Sequence, residues 1–167
     1  MQRTRIAALV ALIFALGLSA PMARPQMSSY YFAEVHKVIY PPPAVAPGEI
    51  QHAIADATRE HKRVIVDFGG NWCSDCKVLD YYLHEPPNAG LLARDFILVD
   101  INIGLYTHNL DLAEKYNIPI HKGVPALAVL SSRGRLLYSQ TGGQFENMSR
   151  ISLDAVTAFL DMWKPVR

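Results

Sequence analysis

The sequence predicts an α/β domain with three layers (α/β/α), in which helices cover both faces of one central mixed sheet. Apolar runs typical of strands alternate with amphipathic stretches typical of helices, which favours parallel strands joined by helical crossovers. Later in the chain a turn signal separates two further strand-like runs, and a hairpin of this kind adds antiparallel pairing. Half of the 167 residues are hydrophobic, so the chain can bury a substantial core.

The first predicted elements are two helices separated by one strand. The apolar residues of Glu49–Lys62 fall on one helical face, and the mostly β-branched run that follows, Arg63–Phe68, is typical of a buried strand. Helical spacing resumes over Cys73–His84 and is stopped by Pro86–Pro87. Asn88 is then expected to cap a further short helix.

The remaining elements complete the sheet and its helical layers. Three more strands are predicted from apolar or alternating runs: Phe96–Ile103, Val124–Leu130 and Leu136–Ser139. The turn-forming residues Ser131–Gly134 join the last two of these strands into a hairpin. Helical patterns cover Leu110–Tyr116 and Ile151–Trp163.

Residues 1–23 have the composition of an export signal. Arg3 and Arg5 precede an unbroken apolar stretch, Ile6–Leu18, which is too short to span a bilayer comfortably. Small residues in Ser19–Ala23 can hold a cleavage site. We expect a cleaved signal peptide and a periplasmic domain, and the alternative is an uncleaved anchor.

Residues 24–48 are expected to form an N-terminal extension that leads into a folded domain at residues 49–167. Pro41–Pro43 and Pro47–Gly48 should exclude regular structure and make a stiff linker. Apolar side chains in the extension can pack as a strap on the surface of the domain. The alternative is that they contact a partner protein.

Charge and cysteine content exclude several classes of protein. The formal net charge is +1, which gives no reason to expect nucleic acid as a partner. The chain has two cysteines, Cys73 and Cys76, too few for a disulfide-rich scaffold or for a zinc site of four thiolates. The histidines show no metal-ligand spacing, so no metal site is predicted.

The stretch Val64–Lys77 joins a buried strand to a helix through a glycine turn. Gly69 and Gly70 break the strand, Cys73 lies at the first turn of the helix, and Cys76 follows one turn later on the same face. A helix N-terminus carries unpaired N–H groups and the positive end of the helix dipole. The pKa of a thiol there is lower than that of a free cysteine, and the thiolate is the reactive form in disulfide exchange. We therefore expect Cys73 to be an exposed nucleophile and Cys76 to be the resolving thiol.

This motif and its surroundings resemble the thioredoxin superfamily over about residues 49 to 163. The matching features are Asp67, the box Trp72–Lys77, Val124–Pro125, and the Gly134 hairpin followed by Gly142. The resemblance implies a thioredoxin fold and thiol–disulfide exchange with protein substrates. Within the superfamily the chain is similar to exported thioredoxin-like domains, including the C-terminal periplasmic domain of transmembrane disulfide reductases.

The resemblance implies catalytic roles for three residues. Cys73 matches the nucleophile and Cys76 the resolving thiol. Asp67 lies six residues before Cys73 and matches the buried acid of the family. Such a carboxyl would have a raised pKa and could take the proton of Cys76 through water. The alternative for Asp67 is an acid that caps a turn or forms a salt bridge.

The resemblance also implies three substrate-binding residues. Pro125 matches the cis-proline that faces the disulfide, and the backbone of Val124 would pair with an extended substrate segment. Trp72 matches the aromatic residue beside the cysteines. The alternatives are a trans turn proline at position 125 and a tryptophan that serves packing alone.

The residues between the cysteines differ from the best-known thioredoxins. Ser74–Asp75 replaces Gly-Pro, and Tyr81 stands where those proteins kink the helix with proline. A carboxylate at Asp75 beside the Cys73 thiolate would raise the pKa of the thiol and disfavour the reduced state. We therefore predict a redox poise nearer that of thioredoxin than that of a strong oxidant.

The sequence thus predicts a thiol–disulfide oxidoreductase that acts on exported proteins, in the reducing direction. It would use the Cys73–Cys76 pair without any other cofactor, and it would receive electrons from a membrane dithiol protein because the periplasm is kept oxidising. One alternative is a Cu(I) carrier that binds the metal through the two thiolates. Another is an interaction module without redox activity. The sequence does not specify the oligomeric state.

Overall fold

The computed structural model describes residues 37–166. The predicted signal peptide and the part of the predicted extension up to residue 36 lie outside the described residues. Within residues 37–166, no helix combines the length and the apolar composition that crossing a bilayer requires.

The centre of the fold is a four-stranded mixed sheet with the order β2-β1-β3-β4. The strands are β1 Arg63–Gly69, β2 Phe96–Asn102, β3 Ala126–Leu130 and β4 Leu136–Ser139. Strand β1 pairs in parallel with β2 and antiparallel with β3, while β3 and β4 form an antiparallel hairpin. The predicted crossover and the predicted hairpin are both confirmed.

Among residues 37–166, five α-helices cover the sheet. They are α1 Ala46–Glu60, α2 Ser74–His84, α3 Asn88–Asp95, α4 Leu110–Lys115 and α5 Leu153–Trp163. Apolar residues of α1 and α4 pack on one face of the sheet, and apolar residues of α2, α3 and α5 pack on the other. The fold is therefore the predicted thioredoxin fold with three layers.

The segment before the sheet is more ordered than the sequence predicted. Helix α1 begins at Ala46 rather than Glu49, and it contains Pro47 and Gly48, so the expectation that these residues exclude regular structure is wrong. Proline is tolerated there because the first N–H groups of a helix have no partner within the helix. Upstream, Tyr40 is 1% exposed and belongs to the core. This part of the extension therefore inserts a side chain and is more than a surface strap.

Two further boundaries differ from the prediction. Asn88 is the first residue of α3 and does not cap it: its amide donates to the Tyr82 carbonyl at 2.9 Å and accepts from the Thr157 hydroxyl at 2.7 Å. The predicted cap is therefore wrong, and Asn88 instead ties α3 to α5. Strand β3 begins at Ala126, two residues late, after a cis bond between Val124 and Pro125.

Candidate active site

The two cysteines lie where β1 ends and α2 begins. Cys73 is the N-cap of α2, and its Sγ accepts a hydrogen bond from the backbone N–H of Cys76 at 3.1 Å. The two residues form a disulfide. A sulfur that caps a helix faces the unpaired N–H groups and the positive end of the helix dipole, which favour a thiolate once the disulfide is opened.

The cysteines differ in access to solvent. Cys73 is 6% exposed, whereas Cys76 is completely buried. Cys73 is therefore buried in the oxidised protein, and the expectation of an exposed nucleophile is wrong for this state, because the disulfide and the Val124 loop lie against it. Cys73 keeps a small exposed fraction and Cys76 keeps none, which is the asymmetry expected between an attacking and a resolving thiol.

The glycine pair between β1 and α2 is required by close packing. A Cβ at Gly69 would lie 2.8 Å from Cys76 Sγ and 2.6 Å from Tyr40 Cζ. A Cβ at Gly70 would lie 2.5 Å from Nε1 of Trp72. These glycines let the tyrosine, the resolving sulfur and the indole lie directly against the backbone.

Trp72 sits at the surface beside the disulfide. Its indole N–H donates to the Gly104 carbonyl at 2.6 Å, and its ring lies 5.6 Å from that of Tyr106 between centroids. Trp72 is 46% exposed, and Leu105 next to Tyr106 is 72% exposed. The three side chains form an exposed apolar surface on the solvent side of the cysteines.

The loop before β3 reaches the accessible sulfur. The Val124–Pro125 peptide bond is cis, as the resemblance implied. The Val124 carbonyl oxygen lies 3.5 Å from Cys73 Sγ. The structure therefore brings Val124 and Pro125 to the disulfide from a distant part of the chain.

Asp67 lies beneath the site, on the same face of β1 as Gly69. The carboxyl is buried, and its Oδ2 accepts a hydrogen bond from the Tyr40 hydroxyl at 2.6 Å. Its Oδ1 has no hydrogen-bond partner among residues 37–166. Burial raises the pKa of Asp67 well above its ordinary value, the negative charge of Asp100 raises it further, and the hydrogen bond from Tyr40 opposes this. The raised pKa was predicted, and the tyrosine partner was not.

Asp67 belongs to a group of acids between the sheet and α2. Asp100 is its register neighbour on β2, so both side chains lie on the same face. Burial and the charge of Asp80 raise the pKa of Asp100 to about 7. Asp80 on α2 forms an ion pair with Lys37, and Nδ1 of His84 lies 3.3 Å from Oδ1 of Asp80. Lys37 thus balances one of the three carboxyl groups.

The thioredoxin-like family model matches residues 46–132, slightly more than half of the chain. The chain belongs to the thioredoxin-like family. It is 34% identical to a disulphide isomerase from Xylella fastidiosa Temecula1, with a TM-score of 0.71 over 76% of this chain and 97% of that one. A redox protein from Chlamydomonas reinhardtii is 18% identical with a TM-score of 0.50, over 72% of this chain and 35% of that one, which shows the fold alone. No curated protein sequence matches this chain.

A thioredoxin-like fold with an intact Cys73-x-x-Cys76 pair supports a thiol–disulfide oxidoreductase. In this thioredoxin-like protein the structure gathers Cys73, Cys76, Trp72 and the Val124–Pro125 loop at one place. Within the described part of the chain, no group of three or more His, Cys, Asp or Glu residues is arranged to hold a metal ion. The Cu(I) alternative would therefore depend on the two thiolates.

Sequence reasoning missed three residues of the site. Asp100 interrupts an apolar strand, and a charge at such a position was a usable signal. Tyr40 and Asn71 gave no comparable signal, since their partners are 27 and 31 or 32 residues away in the chain. Asp75 was noticed, but its carboxylate accepts from the Met148 N–H at 3.0 Å, a contact that spacing could not reveal.

Proposed function

We propose that the protein is an exported thiol–disulfide oxidoreductase that reduces disulfides in other exported proteins. The observation that carries the proposal is the placement of Cys73: it caps α2, keeps the small exposed fraction of the cysteine pair and lies against the carbonyl of Val124. The description of the Xylella relative as a disulphide isomerase supports protein disulfides as the substrates.

The proposed reaction has two exchange steps. The Cys73 thiolate attacks one sulfur of a substrate disulfide, forms a mixed disulfide and expels the other substrate sulfur as a thiolate. Cys76 then attacks Cys73 Sγ, which forms the Cys73–Cys76 bond and releases the second substrate sulfur. The substrate gains two electrons, and the protein is left with the disulfide found in the structure.

Substrate binding would use the surface around Cys73. An extended segment would pair with the backbone of Val124, since this residue precedes β3 and lies outside the sheet. Pro125 would hold that backbone against the disulfide, and Trp72 with its neighbours would contact apolar side chains of the substrate.

The proposed location and electron source rest on the sequence alone. The arginine-led apolar start of the chain supports export to the periplasm through a cleaved signal. A membrane dithiol protein would return the disulfide to the dithiol there. Fractionation of cells that express the full chain, with mass measurement of the mature N-terminus, tests the location. Recovery of the unprocessed chain in the cytoplasm would contradict it.

An insulin reduction assay tests the activity. We expect wild-type protein to accelerate the reduction of insulin by a dithiol and Cys73→Ser to be inactive. Cys76→Ser should still form mixed disulfides but should accumulate them, because it lacks the resolving thiol. Equal rates for wild type and Cys73→Ser would reject the proposed function. Titration of the reduced protein with Cu(I) tests the alternative, which requires stoichiometric binding that Cys76→Ser loses.

A further inference from the structure

Asn71 fixes the segment before α1 to the turn that carries the cysteines. Its side-chain oxygen accepts from the backbone N–H groups of Ile39 and Tyr40 at 2.8 and 3.0 Å, and its amide donates to the Tyr40 carbonyl at 2.8 Å. Asn102 adds a bond to the Pro41 carbonyl at 2.9 Å. The backbone of Tyr40 is thus held from both sides by a residue close to Cys73 in sequence.

This clamp of Asn71 on the backbone of Tyr40 places the Tyr40 hydroxyl against the buried acid and near the buried sulfur. The hydroxyl donates to Asp67 at 2.6 Å. A Cβ on Gly69 would lie 2.4 Å from the hydroxyl oxygen and 2.8 Å from Cys76 Sγ, so the oxygen and the sulfur are at most 5.2 Å apart. Tyr40, Asp67 and Cys76 are each at most 2% exposed, so bulk water does not reach the space between them.

We propose that the Tyr40 hydroxyl relays the proton of Cys76 to Asp67 during the resolving step. This inference rests on the proposed function and names a residue outside the cysteine motif that the second exchange requires. A relay of this kind fits the geometry because the hydroxyl has one donor and two acceptor sites. It can donate to the carboxylate while it accepts from the thiol.

The step balances as follows. The Cys76 thiol gives its proton to the Tyr40 oxygen, and the Tyr40 hydroxyl proton passes to Oδ2 of Asp67. The sulfur uses its freed electron pair to bond to Cys73 Sγ, and the electron pair of the broken bond leaves on the substrate sulfur as a thiolate. Asp67 ends protonated, Tyr40 ends unchanged and no further reactant is consumed.

The charged groups around Asp67 decide the pH at which the relay works. Burial and the acids Asp100 and Asp80 favour the protonated form of Asp67, whereas the Tyr40 hydrogen bond favours the carboxylate. Lys37 and His84 pair with Asp80. Loss of the Tyr40 hydroxyl should therefore raise the pKa of Asp67 and move the pH dependence of resolution upward, in addition to slowing it.

The test follows the two steps separately in the reduced full chain. The reagent dithiobis(nitrobenzoic acid) releases one coloured thiolate when Cys73 attacks and a second when Cys76 resolves, so stopped-flow absorbance gives two rates. In Tyr40→Phe we expect the first rate to be unchanged and the second to fall by about tenfold or more at neutral pH, in line with the size of general-base effects. The pH profile of the second rate should move to higher pH.

Tyr138→Phe is the matched control, since Tyr138 is a partly buried tyrosine on β4, packed against Phe159 and Trp163. It should leave both rates unchanged. Asp67→Asn should slow resolution as Tyr40→Phe does. The double variant should be no slower than either single variant, because both substitutions interrupt the same proton-transfer path. In the wild type, resolution should be slower in D₂O than in H₂O.

Three outcomes would overturn the relay: an unchanged second rate and pH profile in Tyr40→Phe, additive effects in the double variant, or the absence of a solvent isotope effect on resolution. The isotope measurement uses wild-type protein and therefore decides the matter even if Tyr40→Phe fails to fold. Failure of the wild type to release the first thiolate would instead reject the proposed function.

Discussion

A methyl group at position 69 would disturb the redox centre more than its size suggests. In Gly69→Ala the new Cβ would lie 2.8 Å from Cys76 Sγ and 2.6 Å from Tyr40 Cζ, whereas ordinary contacts begin at 3.4 Å. Tyr40 cannot retreat without stretching its bond to Asp67, and Cys76 is tied to Cys73 through the disulfide. Tyr40 and Cys76 are both buried, so neither side chain can relieve the clash by moving into solvent.

Overpacking of this kind costs about 1–3 kcal/mol of unfolding free energy. One kcal/mol corresponds to roughly 4 °C in melting temperature for a domain of this size, so we expect a drop of roughly 4–12 °C. Thermal and urea unfolding followed by circular dichroism, with the protein oxidised, provide the measurement.

Gly90→Ala is the matched control. Gly90 lies within α3 and a Cβ there would meet nothing within 4 Å. Alanine is a better helix former than glycine, so this variant should be as stable as wild type or more stable by up to about 1 kcal/mol. If Gly69→Ala unfolds at the same temperature as wild type, the packing of Tyr40 and Cys76 against residue 69 is wrong.

Three further predictions address other parts of the site. Asn71→Ala should lower the unfolding free energy, measured by urea unfolding, by about 2 kcal/mol, because it removes three hydrogen bonds to the segment before α1. A change near zero would mean that the clamp contributes nothing to stability. The pKa of Asp100 is about 7 in the folded protein and 3.8 in its ordinary state, so the folded protein keeps this proton to higher pH. The stability that this proton contributes is fully present below pH 3.8 and is lost as the pH rises through 7. Asp100→Asn should therefore flatten the fall in unfolding free energy between pH 4 and pH 8. An equally steep fall in the variant would contradict the assignment. Asp75→Asn keeps an acceptor for the Met148 N–H but removes the negative charge beside Cys73. The reduction potential of the variant, measured against glutathione, should be less negative by on the order of 30 mV than a wild-type value nearer −270 than −120 mV. A more negative potential would refute the like-charge argument.

The strands and helix α2, which begins at the cysteines, were predictable because their sequence signals are local. The β-branched run of β1, the glycine pair and the cysteine spacing each occupy a few consecutive residues. The mixed character of the sheet followed from the alternation of elements and the late hairpin, since parallel strands need a crossover, but the strand order was not predicted. Burial of Asp67 followed from the resemblance to the thioredoxin superfamily, whose buried acid lies at the same offset before the first cysteine.

The partners of these residues were not predictable from local pattern. Tyr40 precedes a proline run, and its neighbours suggested a linker; its burial depends on Asn71, which reads as an ordinary turn residue. Asparagine is a residue type that often caps helices, but the side-chain amide of Asn88 donates to the Tyr82 carbonyl and accepts from the Thr157 hydroxyl instead. In each case a contact between distant segments decides the role of a side chain whose local preference points elsewhere.

The clamp between Asn71 and Tyr40 also bears on where this domain can be cut. A shortened version that begins at residue 46, where the match to the family model starts, would keep every strand and both cysteines. It would lack Tyr40, whose ring packs beneath the cysteines, and we expect water to enter beside Cys76 and Asp67. The residues that build this site therefore extend upstream of the family match.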